Sequence, residues 1–218
     1  MDALYLNLRR LIVRGTLQPG LAVSEAQLAE RLGVSRTPVR AVMRRLMAEG
    51  LLVVTGGGAR PRVAVAPLDA EEAAECYRIT AQLEGGLART IAAWPAASRR
   101  GLADELAALH AAFVDAAQSA RPNLDRLHER HAAFHQRLRD AAAGPVTREL
   151  LAVLEPRMER YQWFHAPLLL KAGMRFDDTD AEHAAIIRAV RAGPADRLQA
   201  AIRANWEAAA SRFRTALD

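Results

Sequence analysis

Six histidines are scattered through this chain, and three of them fall where metal chemistry needs them. His131 and His135 are spaced i, i+4, so on a helix both imidazoles reach one point above the same face. His131 lies within the apolar stripe Leu124, Leu127, Phe134 and Leu138, with His135 and His128 on its flank. Further along, His183 leads the stripe Ile186, Ile187 and Val190, and Asn205 sits among Leu198, Ile202, Ala209 and Phe213. Three helices therefore each turn a polar side chain inward, and buried polar groups must find partners. The four can pair with each other, with water, with a ligand, or with a divalent metal such as zinc, nickel or manganese. Three inward histidines favour the metal, whereas a single one is ordinarily a hydrogen-bonded core residue. His110 and His165 receive only that plainer reading, and His128 sits behind the cluster or at the surface. Three histidines with open metal positions also suit a metal-dependent hydrolytic enzyme, the alternative reading. Against it, Ala132-Ala133-Phe134 place no glutamate between the pair as HExxH would, and no Ser/His/Asp or Cys/His pattern appears. The expectation is a protein that is not an enzyme.

A second constellation is cationic. Val39, Val42, Met43, Leu46 and Met47 form one apolar stripe at helical spacing, with Thr37, Arg40, Arg44 and Arg45 on the other side and Arg36 at the exposed start. Ser35 is placed to cap this helix, Pro38 fits its first turn, and Gly50 closes it. Before it, Ser24 with Gln27 three residues on starts a short helix carrying Leu28 and Leu32, which Gly33 ends. A first helix with Leu4, Leu8, Leu11 and Ile12 on one face runs to about Gly15, where Pro19-Gly20 forces a turn. After Gly50, Leu51–Thr55, the run GGGARPR and Val63-Ala64-Val65 read as a hairpin with Arg60 and Arg62 at its tip or flank. Two short helices, a glycine turn and an arginine-faced second helix are what major-groove reading requires.

The elements that position the histidines are all helical. Expected spans are 69–94, 98–118, 122–142, 145–170, 179–192 and 194–216, separated by Pro95, Arg121-Pro122, Gly144-Pro145, Asp177–Asp180 and Gly193-Pro194. The fold class is thus mainly α. A winged helix-turn-helix with a small β-hairpin occupies 1–66, and an antiparallel bundle of about six helices occupies 67–218. Charge follows the same division: residues 1–66 carry ten arginines against four acids, whereas 67–218 are nearly balanced. That is the pattern of a nucleic-acid-binding head on a body with another task. A hydrophobic share of 51 % with 25 % charged residues argues against a disordered chain, and no apolar run approaches a membrane span. The single cysteine, Cys76, leaves no disulfide framework or cysteine-cluster zinc site. Arginines scattered through MDALYLNLRRLIVRG argue against a signal peptide, so the expected location is cytoplasmic.

The stretch LQPGLAVSEAQLAERLGVSRTPVRAVMRRLMAEGLL resembles the winged helix-turn-helix of the GntR family of bacterial transcription regulators, LGVSRTPVR being its most specific part. The resemblance implies that Arg36, Thr37 and Arg40 contact double-stranded operator DNA, with Arg44 on the same face. It assigns wing-tip contacts to Gly57, Gly58 and Arg60. An arginine often found early in the preceding helix is Ala26 here.

Residues 69–216 resemble the helical effector-binding FCD domain of the FadR branch, and six helices favour its shorter, VanR-like subgroup. AAFHQRLRDAAAGPVTREL is similar to that domain's FH-containing helix, and AEHAAIIRAVRAGPADRLQAAIRANWEAA to its closing helix pair. Many members hold a divalent metal through an aspartate, a histidine four residues on, and two later histidines. Position by position these are His131, His135, His183 and Asn205 here, so two of four differ. The implied site either holds metal through three histidines, open to water or an effector carboxylate, or binds the effector without metal. An arginine common four residues before the glutamate of the first body helix is Thr80, ahead of Glu84, so a carboxylate partner is missing or comes from elsewhere. The implied function is a homodimeric regulator with two recognition helices in successive major grooves, answering to an organic acid or related metabolite. A DNA-binding scaffold with a dry, merely structural bundle is the third reading.

Overall fold

The computed structural model describes residues 2–56, 62–118, 122–173 and 176–217. Contacts divide the chain into two units, Met1–Asp69 with Glu155–Phe164, and Ala70–Leu154 with His165–Asp218.

The first unit opens with α1 (Asp2–Val13), which buries Tyr5, Leu8, Ile12 and Val13. Leu4 and Leu11, expected on the buried face, pack only at its edge. β1 (Ala22–Val23) follows, then α2 (Glu25–Leu32), α3 (Arg36–Ala48), β2 (Leu52–Thr55) and β3 (Arg62–Val65). β1 was not foreseen, since two residues are too short to show a period-2 pattern. It pairs with β3 through Ala22↔Ala64 and Val23↔Val63, so the expected hairpin is a three-stranded antiparallel sheet in the order β1-β3-β2.

Ser24 caps α2, its hydroxyl oxygen accepting from the Gln27 amide at 3.3 Å, and Gly33 ends that helix in the left-handed region at φ 65°. Ser35 precedes α3 as expected but makes no capping hydrogen bond. The first amides of α3 therefore lack that side-chain acceptor. Val39, Val42, Met43 and Leu46 turn inward onto Leu8, Ile12, Leu51 and Val65. Each fully buried aliphatic side chain there contributes roughly 1.5–3 kcal/mol.

The second unit holds α4 (Ala70–Ala92), α5 (Ala96–Ala117), α6 (Leu124–Ala142), α7 (Pro145–Lys171), α8 (Asp177–Ala192) and α9 (Ala195–Leu217). α4 packs most extensively along α9, α5 packs against α6 and α8, and α8 packs against α9. Alanines of α4, among them Ala73, Ala81 and Ala88, are buried and let the axes approach. Leu124, expected in the α6 stripe, is only partly buried; Leu127, Phe134, His135 and Leu138 carry it.

The middle of α7 belongs to the first unit. Arg160 is buried there and donates to the Ala66 carbonyl, Arg9 pairs with Glu159 at 2.5 Å, and the Arg14 guanidinium lies 3.7 Å from the Trp163 ring centre. No sequence period distinguishes this segment from the rest of the helix. No described helix is long and apolar enough to cross a membrane.

Candidate functional site

α6 and α8 bring His131, His135 and His183 together. Their ring centres are 5.0 to 5.3 Å apart, and one ligand nitrogen from each lies within 4.8 Å of the others. His183 and His135 are buried, whereas His131 is partly exposed. Aromatic rings wall the cluster. Phe134 stacks on His183 at 4.0 Å, Phe113 stands 5.6 Å from both His131 and His183, and Trp206 is 4.3 Å from His135.

Behind His135 stands Glu84 of α4, with no exposed surface. Its Oε2 accepts from Trp206 Nε1 at 2.8 Å and faces His135 Nδ1 at 3.2 Å, and its Oε1 accepts from Arg139 Nε at 2.6 Å. Burial pushes the Glu84 pKa upward, but Arg139, His135 and the hydrogen bonds outweigh it and hold the group at about 2. Glu84 is therefore an acceptor only, so a neutral His135 carries its proton on Nδ1 and its lone pair on Nε2. Among the described residues that Nε2 has no hydrogen-bond partner, and neither has either ring nitrogen of His183. Burial, followed by the neighbouring imidazoles, lowers the pKa values of His131 and His183 well below 6.5. Those two rings are thus neutral at pH 7, the form that coordinates metal. Metal–nitrogen bonds near 2 Å require donor atoms within about 4 Å of one another, so small side-chain rotations would close the set around one cation.

Asn205 lies in the buried wall of α9. Its Nδ2 donates to Glu182 Oε2 at 2.9 Å, and Arg212 grips Glu182 through both amino groups at 2.5 and 2.8 Å. The Asn205 Oδ1 is left buried and unpartnered. Thr80 is fully buried with an unpartnered hydroxyl, and the cation that answers Glu84 comes instead from α6, as Arg139. His110 is more than an isolated core residue: its Nε2 lies 2.7 Å from Asp180 Oδ1 and its ring 5.3 Å from His183. His165 sits apart, its Nδ1 3.3 Å from the Tyr77 hydroxyl, and burial lowers its pKa to about 3. His128 is partly buried one turn before His131. Sequence reasoning missed the group formed by Glu84, Trp206 and Arg139. Its available signal was Arg139 four residues after His135 on one helix.

On α3, Arg36, Thr37, Arg40 and Arg44 are all exposed. Arg40 is held by Glu25 of α2, its Nε donating to both carboxylate oxygens at 2.9 and 3.0 Å. Arg45 is engaged structurally, its guanidinium 3.4 Å from the Tyr5 ring centre and its Nε 3.0 Å from Glu49. Gly57, Gly58 and Arg60 lie outside the described residues.

A winged helix with an arginine-faced third helix, in one chain with a six-helix bundle around a histidine cluster, defines a two-part regulator architecture. Residues 1–60 match the family described as bacterial regulatory proteins, gntR family, and residues 75–208 match the FCD domain. The chain belongs to the gntR family, in the branch that carries an FCD domain. It is 39 % identical over 80 residues to the uncharacterised HTH-type transcriptional regulator YdhC of Bacillus subtilis (strain 168), a match spanning 37 % of this chain and 34 % of that protein. It is 27 % identical over 147 residues to the Nta operon transcriptional regulator of Aminobacter aminovorans, spanning 67 % of this chain and 65 % of that one. Among solved structures, E. coli McbR/YncC superposes with a TM-score of 0.72 at 18 % identity, covering 99 % of this chain and 97 % of that one. A putative GntR regulator from Rhodococcus sp. RHA1 gives 0.66 at 19 %, covering 98 % and 97 %. At these identities the structural likeness is one of fold.

Proposed function

We propose that this protein is a cytoplasmic, homodimeric, DNA-binding transcription regulator whose operator affinity answers to a small carboxylate held in its helical body. Residues 1–66 form the reading head and residues 67–218 the effector-binding and dimerising body. For the head, the supporting observation is the exposed row Arg36, Thr37, Arg40 and Arg44 on one face of α3. Arg62 stands exposed on β3, beside the wing. Gly57, Gly58 and Arg60 are assigned to the wing's DNA contacts by the family resemblance alone.

For the body, one observation carries the reading: three imidazoles converge, the buried nitrogens His135 Nε2 and both of His183 have no partner among the described residues, and His135 is oriented by a buried carboxylate. That donor set fits a divalent cation such as zinc, nickel or manganese, with His131, His135 and His183 as ligands. A cation there would supply a Lewis-acidic point for an effector carboxylate, with the Asn205 Oδ1 as a further polar contact. The alternative, a hydrolytic enzyme, needs a free general base beside the metal. Glu84 is a poor one, being engaged by three donors and held at a pKa of about 2.

Metal analysis of the purified protein, followed by a thermal-shift screen of mono-, di- and tricarboxylates, tests this reading. The expected result is about one divalent cation per chain and a carboxylate that raises the melting temperature. Protein that stays metal-free after zinc loading, with no carboxylate response in either form, would overturn the effector site. DNA binding by residues 1–66 would be unaffected by that failure.

A further inference from the structure

Three arginines lie one turn apart on the exposed face of α3, yet they are not equivalent. Among the described residues, Arg40 alone of Arg36, Arg40 and Arg44 makes a close ion pair with a carboxylate, that of Glu25, which Arg36 and Arg44 feel only at longer range. The contact is made side-on. Both Glu25 oxygens accept from the Arg40 Nε, and the two terminal amino groups bond no described protein atom. The carboxylate is itself held from behind. Val23 of β1 is paired to Val63, Ser24 caps α2, and Glu25 is the first residue of that helix, where a negative charge is favoured. The pair borders a groove of about 760 Å³ between α3 and the sheet, lined by Met43 and Met47 and flanked by Arg44 and Arg62.

An unpaired guanidinium in a nucleic-acid interface is drawn to any phosphate, which positions a protein but carries no sequence information. A guanidinium whose Nε side is held by a carboxylate presents a reduced net charge to a phosphate. Its end-on fork of two N–H donors still matches guanine O6 and N7. A carboxylate beside it also repels phosphate. We infer that Glu25 is the specificity-determining partner of Arg40: it aims the Arg40 fork at a guanine and suppresses phosphate binding, while unpaired Arg36 and Arg44 grip the backbone. This rests on the DNA-binding reading above and names the residue that turns one of its arginines from a general anion binder into a base reader.

The test uses the full-length protein and duplexes chosen by it from a randomised pool. Affinity is measured for the best-selected duplex, for that duplex with each base pair exchanged in turn, and for a random duplex. Glu25→Gln is isosteric at a partly exposed site and should keep the fold, which its thermal melt checks. It should tighten random-duplex binding severalfold and lower the ratio of specific to random affinity by roughly 10-fold. The lost discrimination should concentrate at one G·C pair, the same pair at which Arg40→Ala becomes indifferent. The slope of log affinity against log salt should steepen by up to about one phosphate equivalent. A Glu25→Gln protein with unchanged discrimination at the pair Arg40 reads overturns the inference. So does a uniform loss of affinity on every duplex, which a purely structural role would give. If Arg36→Ala and Arg40→Ala both bind all duplexes like the parent, the DNA-binding assignment of α3 fails instead.

Discussion

The buried Glu84 carboxylate faces His135 Nδ1 at 3.2 Å and thereby decides which nitrogen of His135 is offered to the cluster. Three donors, from His135, Trp206 and Arg139, converge on its two oxygens. In Glu84→Gln the amide presents one oxygen and one NH₂ group, so either a donor faces a donor or His135 accepts at Nδ1 and carries its proton on Nε2, away from metal coordination. The expected loss is about 1–3 kcal/mol of stability, because one buried or partly buried donor, such as that of Arg139, loses its acceptor. Zinc affinity of the folded fraction should fall roughly 10- to 100-fold, the usual consequence of losing the group that orients a ligating histidine. Denaturant titration and competitive zinc titration measure the two separately. An unchanged zinc affinity would remove Glu84 from the metal reading.

Acid should destabilise the metal-free protein above the range where carboxylates titrate. The His165 pKa is lowered to about 3, and those of His131 and His183 fall well below 6.5. As pH drops through 6.5 the unfolded chain takes up protons that the folded chain refuses, so stability declines from about 6.5 down toward the folded values. At pH 5, His165 alone accounts for about 2 kcal/mol. Glu84, held at about 2 when folded, begins to lose its own stabilising contribution only as pH falls through its unfolded value of 4.5, so it adds little between pH 7 and pH 5. Urea midpoints at pH 7 and pH 5 are the measurement, and a His165→Gln variant should show a smaller difference between them. Equal midpoints for the parent protein would contradict the neutral burial of these rings. The lowering at His131 and His183 should also move acid release of a bound metal below the ordinary histidine range.

Helix spacing made the two stripes legible, one with His131 and His135 and the other with His183, because a 3.6-residue period shows which residues share a face. It could not show Glu84 reaching His135, since those residues are 51 positions apart and meet only through the packing of α4 against α6. The same limit hid the Glu25–Arg40 pair, whose members lie on different helices. Two-residue β1 escaped because strand patterns need more length, and the absent Ser35 cap depends on a rotamer that residue type does not fix.

Operator binding should depend steeply on salt and on the face of α3. Arg40→Ala is expected to weaken the selected duplex by about 1–3 kcal/mol with little effect on random DNA, since it removes a base contact. Arg36→Ala and Arg44→Ala should weaken both alike and each flatten the salt slope by about one unit. Arg45→Ala should instead lower the thermal stability of the head, because Arg45 packs on Tyr5 and pairs with Glu49. Fluorescence anisotropy across 50–300 mM salt (roughly the span over which counterion release is resolved) distinguishes these outcomes. Equal effects from all four substitutions would argue against a division of labour on this helix.

Dimerisation is expected to use the start of α7. Val146, Leu150 and Val153 recur at i, i+4 and i+7 and are 67, 49 and 67 % exposed, so one helical face presents a continuous apolar row to solvent. A twofold axis through such a row doubles every contact, because each residue meets its counterpart's neighbourhood twice. With roughly 1.5–3 kcal/mol per buried valine or leucine, one charged substitution should weaken association about 100-fold or more. Leu150→Arg and Val153→Glu lie on the exposed side and should leave the monomer fold intact, which far-UV circular dichroism and the melting temperature report. Sedimentation should show the parent as a dimer at micromolar concentration and both variants shifted to monomer. Operator affinity should then fall toward that of a single half-site, because the second recognition helix is no longer tethered. Variants that sediment as dimers like the parent would place the contact elsewhere on the body, and a parent protein that stays monomeric even with a two-half-site duplex would refute the dimer itself.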